Sequence, residues 1–544
     1  MGFVLIWIES LAVSLLIMAF VFALTGRIHR RWLRLIIWIP IATFIFLIYL
    51  ALTILTGALK FGHLPDFMWF YFTLSLMLTY AAGVICLSIA GQRKASGESS
   101  VIASATWPLG KLAIASGVAA ALHLMTFWNM DLEARQQLAS LRAEAGALAS
   151  SVAPPRIPDS DNAALLYEQA GQALSSALNI NYSDNFQSKN EEWNIWADSM
   201  NKPDFNPQDP ALVRFLQQQD GTIALILKAT KKPGCYFEHD YNRPSIAMLL
   251  PEFRPLRDVA KLMALHARWK AATGDYQTAM EDVNAVFIMA EHVSNEPILI
   301  AGLVSAAIDS LAYESLQNIL ASHQLGQADL DMLKLNSSFS HEKLMQRSLL
   351  YEEALRLSIF YDIDKYGFSQ ILYGKGPDIR GSSFVFRIFL LNDEIQANKW
   401  YSDQANQYAA QPYYKTKDQW EKLLSFSEYA PNSIFVRSLF PALNRYVESM
   451  TRADARRDNV RLALAMCHYR AKNGKYPDKL EEMVPDYMAF VPVDLFDGKP
   501  LHLKQTADKL VIYSVGPDGI DDGGAPYDKQ SHKGDVTFEL PQAK

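Results

Sequence analysis

The side chains with the most chemical potential lie near the end of this chain. "YSVGPDGIDDGG", Tyr513 to Gly524, sets three aspartates among four glycines behind an apolar strand, and Asp535 follows. Carboxylates in a glycine-rich loop either turn the chain or hold a hard cation, whose six to eight oxygens come from side chains and backbone together. The EF-hand pattern is absent. Counted from Asp518, the third position is Ile520 and the twelfth is Lys529, where that loop needs an oxygen ligand and a glutamate. A second concentration is "CYFEHDYNRP", which brings together Cys235, Glu238, His239 and Asp240. Its Cys-x3-His pair lacks the partner spacing of a zinc site. The segment is therefore a polar loop before a helical region, or part of an active site that only folding completes. "HEKLM" at His341 lacks the second histidine of HExxH, and no GxSxG, Walker loop or GxGxxG stands in a suitable context.

Other classes are excluded by composition. The cysteines Cys86, Cys235 and Cys467 are far apart, so neither a zinc knuckle nor a disulfide framework is supported. A net charge of -6 gives no basic signal for nucleic acid.

These residues follow an oily beginning. The chain has 544 residues, enough for several domains, and its apolar excess lies before about residue 130. Runs from Phe3 to Leu24, Leu35 to Leu55, Phe67 to Ala90 and Leu112 to Trp128 read as four membrane spans, the last being the shortest. The first lacks a basic leader and a small-residue cleavage site, so it reads as a span and not a removed signal. Arg27, Arg30, Arg31 and Arg34 fill the first loop and Arg93 and Lys94 the third, whereas the second has only Lys60. Basic loops stay in the cytoplasm. That places Met1, and everything after about residue 130, outside the cytoplasm.

Four regions follow: a four-helix transmembrane domain at 1–130, a helical stalk and linker at 131–160, an α-helical domain at 161–445 and a small α+β domain at 446–544. The fold class is mainly α. Asp131 to Ser150 continues the fourth helix, and "SSVAPPRIPDSDN" breaks it with prolines. Asp161 is the expected cap of a new helix with Ala164, Leu165, Tyr167 and Ala170 on its apolar stripe. Asn179 to Pro207 reads as a polar surface insertion. From Pro255, apolar residues at i, i+3, i+4 spacing give two helices joined at Thr273-Gly274-Asp275, with His266 packed on a helix face. This "GDYxxA" turn resembles the inter-helix turn of tetratricopeptide units, which implies that Tyr276 wedges between the helices and Ala279 permits their close approach. "EPILIAGLVSAAIDSLAYESLQNIL" is interrupted by Asp309 and Glu314 and reads as the core helix of a bundle. Further helices are expected at Ala328 to Leu335, His341 to Ile363 and Lys417 to Phe426. Arg452, Arg456, Arg457 and Arg461 read as the solvated face of a long helix from Tyr446 to Asn473, with Val460, Leu464, Cys467 and Ala471 on its apolar face.

Behind that helix come an NGKYP stop, a short helix in "DKLEEMVPDYM" and three strand-like runs, "KPLHLKQ", "KLVIYSV" and "DVTFEL". In this order the tail resembles the globular domain of the major pseudopilin of type II secretion. Asn473, Gly474, Tyr476 and Pro477 match its NGxYP turn. Asp494, Phe496, Gly498 and Pro500 match a "DPWGNPY"-like segment, and Tyr513, Ser514, Gly516, Pro517, Asp518 and Gly519 its "YSxGPDG". Asp535-Val536 stands for its final Asp-Ile. The resemblance covers about 80 residues, without the prepilin cleavage site or a directly attached apolar helix. It implies a calcium loop with Asp518, Asp521, Asp522 and Asp535 as ligands. As a whole, the chain resembles multi-domain bacterial membrane proteins in which helical repeats precede such a tail, and this implies no activity. The combined reading is a membrane-anchored binding or scaffold protein of the cell envelope, with the lipid bilayer and other envelope proteins as partners. The alternative is an extracytoplasmic, membrane-anchored enzyme built around the Glu238-His239-Asp240 loop.

Overall fold

One unbroken helix, Ile102–Val152 (α1), carries the chain from the expected span at Leu112 to Trp128 into the folded body, as the high helix propensity of Asp131 to Ser150 requires. The computed structural model describes residues 102–180, 206–245, 248, 250–366, 391–425, 434–528 and 530–542. The three earlier spans, and most of the expected insertion from Asn179 to Pro207, lie outside them. The chain divides into two compact units, Met1–Trp128 and Asn129–Lys544. In the second, helices follow at Ala164–Ala177 (α2), Pro210–Gln218 (α3), Asp220–Thr230 (α4), Phe253–Ala272 (α5), Tyr276–Val293 (α6), Leu299–Ser322 (α7), Gln327–Leu330 (α8), His341–Tyr366 (α9), Leu391–Ala409 (α10), Tyr413–Ser425 (α11) and Ile434–Asn473 (α12). Strands His502–Gln505 (β1), Lys509–Ser514 (β2) and Val536–Pro541 (β3) close the chain.

The Gly274 turn forms where its composition places it. Gly274 has φ +87, a left-handed conformation that glycine adopts without a Cβ clash. The Asp275 side chain then caps α6 by accepting from the Thr278 N–H. Ala279 is fully buried, and Tyr276 is half-buried against the same core, with its ring 5.0 Å from His323, just past the end of α7. α5, α6 and α7 pack on one another around Val259, Met263, Val283, Phe287 and Ile308. α7 is long and apolar enough to cross a membrane by length and composition, but 56% of its most apolar window is buried inside the body. It is the central helix, touching α5, α6, α9, α12 and β3.

Several sequence expectations shift by a residue or a face. Asp161 does not cap α2; Asn162 does the local work, accepting from the N–H groups of Ala164 and Tyr236 at 3.0 and 2.9 Å. Leu165 and Ala471 point to solvent, each one position off its buried stripe. The helix expected from Ala328 is the single turn of α8. Helices α3, α4 and α10 are additional to those expected from the sequence, although Asp209 caps α3 and Pro210 opens it, as helix starts commonly do.

The antiparallel sheet has the order β1-β2-β3, with Ile512 opposite Leu503 on one side and Phe538 on the other. Ile512, Phe538 and Leu540 join one core with Val460 and Met466 of α12. The tail therefore shares its interior with the helices. The outer edge of β3 is closed by side chains: Gln317 donates to the Glu539 carbonyl and accepts from the Glu539 N–H, at 2.9 and 2.8 Å. Tyr313 donates to the Thr537 carbonyl and Asn459 to that of Val536. An exposed strand edge invites foreign pairing, and this one is covered.

The basic stretch of α12 is not a solvated face. Arg457 is 1% exposed and donates to Asp309 of α7 at 2.6 Å and to Glu291 of α6 at 2.8 Å. Its guanidinium lies 4.0 Å from the centre of the Phe339 ring. Arg461 reaches the Asn336 and Phe339 carbonyls, and Arg456 bonds the Ser310 hydroxyl. Asp309 therefore answers a buried cation from within an otherwise apolar helix. Removing one member of a buried pair strands the other charge and costs about 3–5 kcal/mol. Arg457→Met is expected to destabilise the full chain by that amount in denaturant melts. The double variant Arg457→Met, Asp309→Leu is expected to recover most of the loss, and equal losses in the single and double variants would show that the charges are not coupled.

Candidate functional site

The glycine-rich tail loop is held by its own carboxylates. Asp535, fully buried, accepts from the Gly524 N–H at 2.6 Å and the Asp522 N–H at 3.3 Å. Asp518 accepts from the Ile520 and Gly534 N–H groups, and Asp521 from that of Gly523. Asp522 is exposed. Gly516 lies so close to Gly534 that an added Cβ would sit 2.4 Å from the Gly534 carbonyl oxygen, so the GPDG turn and the approach to β3 fit only without side chains. The four aspartates thus surround one loop, with oxygens of Asp518, Asp521 and Asp535 turned to backbone N–H groups. Among the described residues no three His, Cys, Asp or Glu side chains converge as a metal-binding set. Lys504 donates to the Gly523 carbonyl at 2.6 Å and brings a positive charge to the loop. Burial pushes the Asp535 carboxyl up, the Gly524 and Asp522 N–H groups pull it down, and repulsion from Asp521 and Asp522 adds to the rise. Asp494 performs a parallel task nearby. Wholly buried, it accepts from the Phe496 and Val515 N–H groups and the Ser514 hydroxyl, latching the segment before β1 to the end of β2.

The loop from Cys235 to Tyr241 divides its polar residues between outside and inside. Glu238 is exposed and pairs with Arg156 at 2.5 Å. His239 turns inward to Glu252, 3.0 Å away. Glu238, His239 and Asp240 therefore do not converge. The inward partners come from elsewhere: Glu296, fully buried before α7, accepts from the Tyr241 hydroxyl and the Phe237 N–H. Arg347 reaches the neighbouring Asn295 carbonyl at 2.8 Å. Burial pushes the Glu296 carboxyl up, with Glu252 adding to the rise and Tyr241, His239 and the Phe237 N–H opposing it. Cys235 is a buried free thiol held well above its usual range by burial and by Glu296 and Glu252, so it is a protonated, packed group and not an activated nucleophile. His266 forms a buried pair with Asp282 of α6 at 2.7 Å. It is a packed helix-face histidine, with a partner that spacing did not reveal.

A broad groove of about 490 Å3 opens between α1 and the turn at Asn242 and Arg243. Ala139, Ala143, Gly146, Arg142 and Arg243 are among the residues that line it. The Asn242 carbonyl would lie 3.0 Å from a Cβ at Gly146, so that glycine lets the turn sit down on the helix. Ser150 ties the two together by donating to the Asn242 side-chain oxygen at 2.7 Å. The Arg142 guanidinium lies 4.1 Å from the centre of the Tyr361 ring.

Neither Glu296 nor the groove arginines stood out in the sequence. For Glu296 there was a usable signal, a lone carboxylate in "VSNEPILIAG" ahead of an apolar helix. No protein-family model, no curated protein and no solved structure matches this chain. Its class is defined by the fold itself: a largely helical protein with a small three-stranded α+β region at its C-terminus.

The Glu296 environment gives a pH dependence of known sign. A carboxyl whose folded pKa is raised favours the folded state below its unfolded value, near 4.3, and loses that contribution as pH rises through the folded value. Glu296→Gln keeps an acceptor for Tyr241 but cannot ionise. The variant is expected to match the parent in thermal melts near pH 4 and to become the more stable of the two toward pH 8. Parallel curves across that range would mean that Glu296 is not held protonated by its surroundings.

Proposed function

We propose that this protein is a membrane-anchored binding or scaffold protein of the bacterial envelope, its folded body displayed outside the inner membrane. The observation that carries the reading is the continuity of α1. No Asp, Glu, Lys or Arg lies between Lys111 and Asp131, and the same helix then buries Ala134, Leu138, Leu141, Ala145 and Ala149 in the folded body. Met125, Trp128 and Leu132 stand exposed around the passage from one stretch to the other at i, i+3, i+7 spacing, on one face. An aromatic residue followed by charges is the usual composition of a bilayer interface. The open groove with its two arginines supports binding, and the inward-packed loop at Cys235 to Tyr241 lends no support to the alternative of an envelope enzyme built on Glu238, His239 and Asp240.

The pseudopilin resemblance adds a proposed calcium ion at the tail loop. Asp521 and Asp522 both repel Asp535, and a divalent cation would relieve that repulsion. Holding it would require the aspartates to exchange N–H donors for the ion, and Lys504 to withdraw. Ion binding to the folded state alone stabilises it by mass action. The full chain in detergent is expected to melt higher in calcium than in chelator, and Asp518→Asn, Asp535→Asn to abolish the difference. Equal melting with and without calcium in the parent would leave the aspartates as turn-formers.

A single experiment tests location and binding together. A membrane-impermeant, amine-reactive crosslinker applied to intact spheroplasts is expected to couple the chain to other envelope proteins. Arg142→Glu, Arg243→Glu is expected to cut the main adduct by about tenfold, the scale of losing one or two charge-assisted contacts. A chain that reacts only after lysis would place the folded body inside. Adducts unchanged in the variant would remove the groove as the binding surface.

A further inference from the structure

A small cavity of about 20 Å3 lies where α9, α10, α11 and α12 meet the tail at Leu495. Met345, Trp420, Val447 and Thr451 are buried around it, whereas Glu342, Tyr408 and Tyr413 are half-buried and lead outward. The space suits one water-sized group, for which about 10–15 Å3 is enough. Among the described residues the Glu342 carboxylate has no ion-pair partner, and its own N–H is held by Asp454 at 2.9 Å. Asp454 is fully engaged: it also accepts from the His341 N–H at 2.7 Å, the His341 ring at 3.0 Å and the Ser340 hydroxyl at 2.9 Å. It thereby caps the positive start of α9 and leaves the charge of Glu342 unspent. Burial and the nearby Asp454 carboxylate push the Glu342 carboxyl up, Lys343 pulls against them, and a bound cation would reverse the rise. The nearby cations are committed elsewhere or outside: Arg452 pairs with Glu448 and lies 4.5 Å from the Tyr527 ring centre, and Lys343 is exposed. Tyr408 and Trp420 meet edge to face at 5.7 Å.

We propose that this cavity binds a primary ammonium head on an unbranched alkyl stem, with Glu342 as counter-ion and the Trp420, Tyr408 and Tyr413 rings as walls. Ring faces attract cations, most of all in a partly desolvated site. An –NH3+ group is about the size of water, whereas guanidinium and quaternary ammonium groups exceed the space. A metal ion would need six or so oxygens, and much of this lining is rings and methyls. Thr451, whose hydroxyl donates to the Val447 carbonyl, retains lone pairs that can accept from the ammonium. The cavity lies wholly within the folded body, so the proposal does not depend on where that body is displayed.

The test is calorimetric titration of the full chain in detergent with n-butylammonium, n-butanol, tetramethylammonium and Nα-acetyl-lysine methylamide. Saturable binding of n-butylammonium is expected in the millimolar range, with none for butanol or tetramethylammonium. Glu342→Gln, at a half-exposed position, is expected to weaken binding about tenfold or more, the scale of one hydrogen bond to a charged group. Glu342→Asp, which keeps the charge, is expected to restore part of it. Binding of the lysine derivative alongside butylammonium assigns the head to a lysine side chain of a partner, and its exclusion assigns a free alkylamine. No butylammonium binding, equal binding of butanol, or binding untouched by Glu342→Gln in a variant that melts like the parent would each overturn the proposal and leave the cavity to an ordered water.

Discussion

The fold depends on one buried cation. Arg457 sits in the middle of the 40-residue α12, yet both its carboxylate partners lie far away in sequence, on α6 and α7. A guanidinium out of water is tolerable only when its fork of donors is met, and here Asp309, Glu291 and the Phe287 carbonyl share it, with two phenylalanine rings against its faces. This contact fixes the height of α12 against α6 and α7. It thereby fixes where Asn459, two residues on, can meet β3. The sheet and the helical hairpin are registered against each other through the same short stretch of α12.

That contact also marks the limit of sequence reading. Periodicity identified the helices at Gly274, at "EPILIAG" and before NGKYP, because local spacing and turn residues are local facts. The three strands follow from alternation in the same way, but their antiparallel order does not, because the whole glycine-rich loop separates β2 from β3. Spacing cannot say whether a charged face meets water or another helix. The arginines of α12 look solvated until a carboxylate on α7 arrives from 148 residues away. Leu165 and Ala471 fail for the complementary reason: they lie at the margins of an apolar stripe, where the neighbouring helix decides which side is covered. Asp309, noted only as an interruption of an apolar run, is the partner.

The candidate sites divide along the same line. In the tail, sequence located the aspartates and glycines, since a close-packed Asp-Gly loop is written in contiguous residues. Their use as acceptors for backbone N–H groups depends on Gly516 and Gly534 approaching each other, which no local pattern states. At Cys235 to Tyr241 the residue types were visible, but alternation along an extended segment sends Glu238 outward and His239 inward. The inner partners, Glu252 and Glu296, come from the starts of two later helices. The cavity at Glu342 draws on four helices and a tail residue and has no signature in any one segment.

The closure of β3 by Tyr313 and Gln317 has a consequence for the order of synthesis. Tyr313 and Gln317 are made 222 to 224 residues before the strand they cap, and Asn459 77 residues before it. Until the last strand emerges, the helical body carries an unmet surface made of a tyrosine, a glutamine and an asparagine, all shaped for a backbone. Loop-closure entropy grows only with the logarithm of that separation, so the delay adds little to the thermodynamic penalty. It does make closure of this side of the helical body wait for β3. A product cut short before Val536 lacks the strand that satisfies those groups, and the interior of its helices is left open along one side.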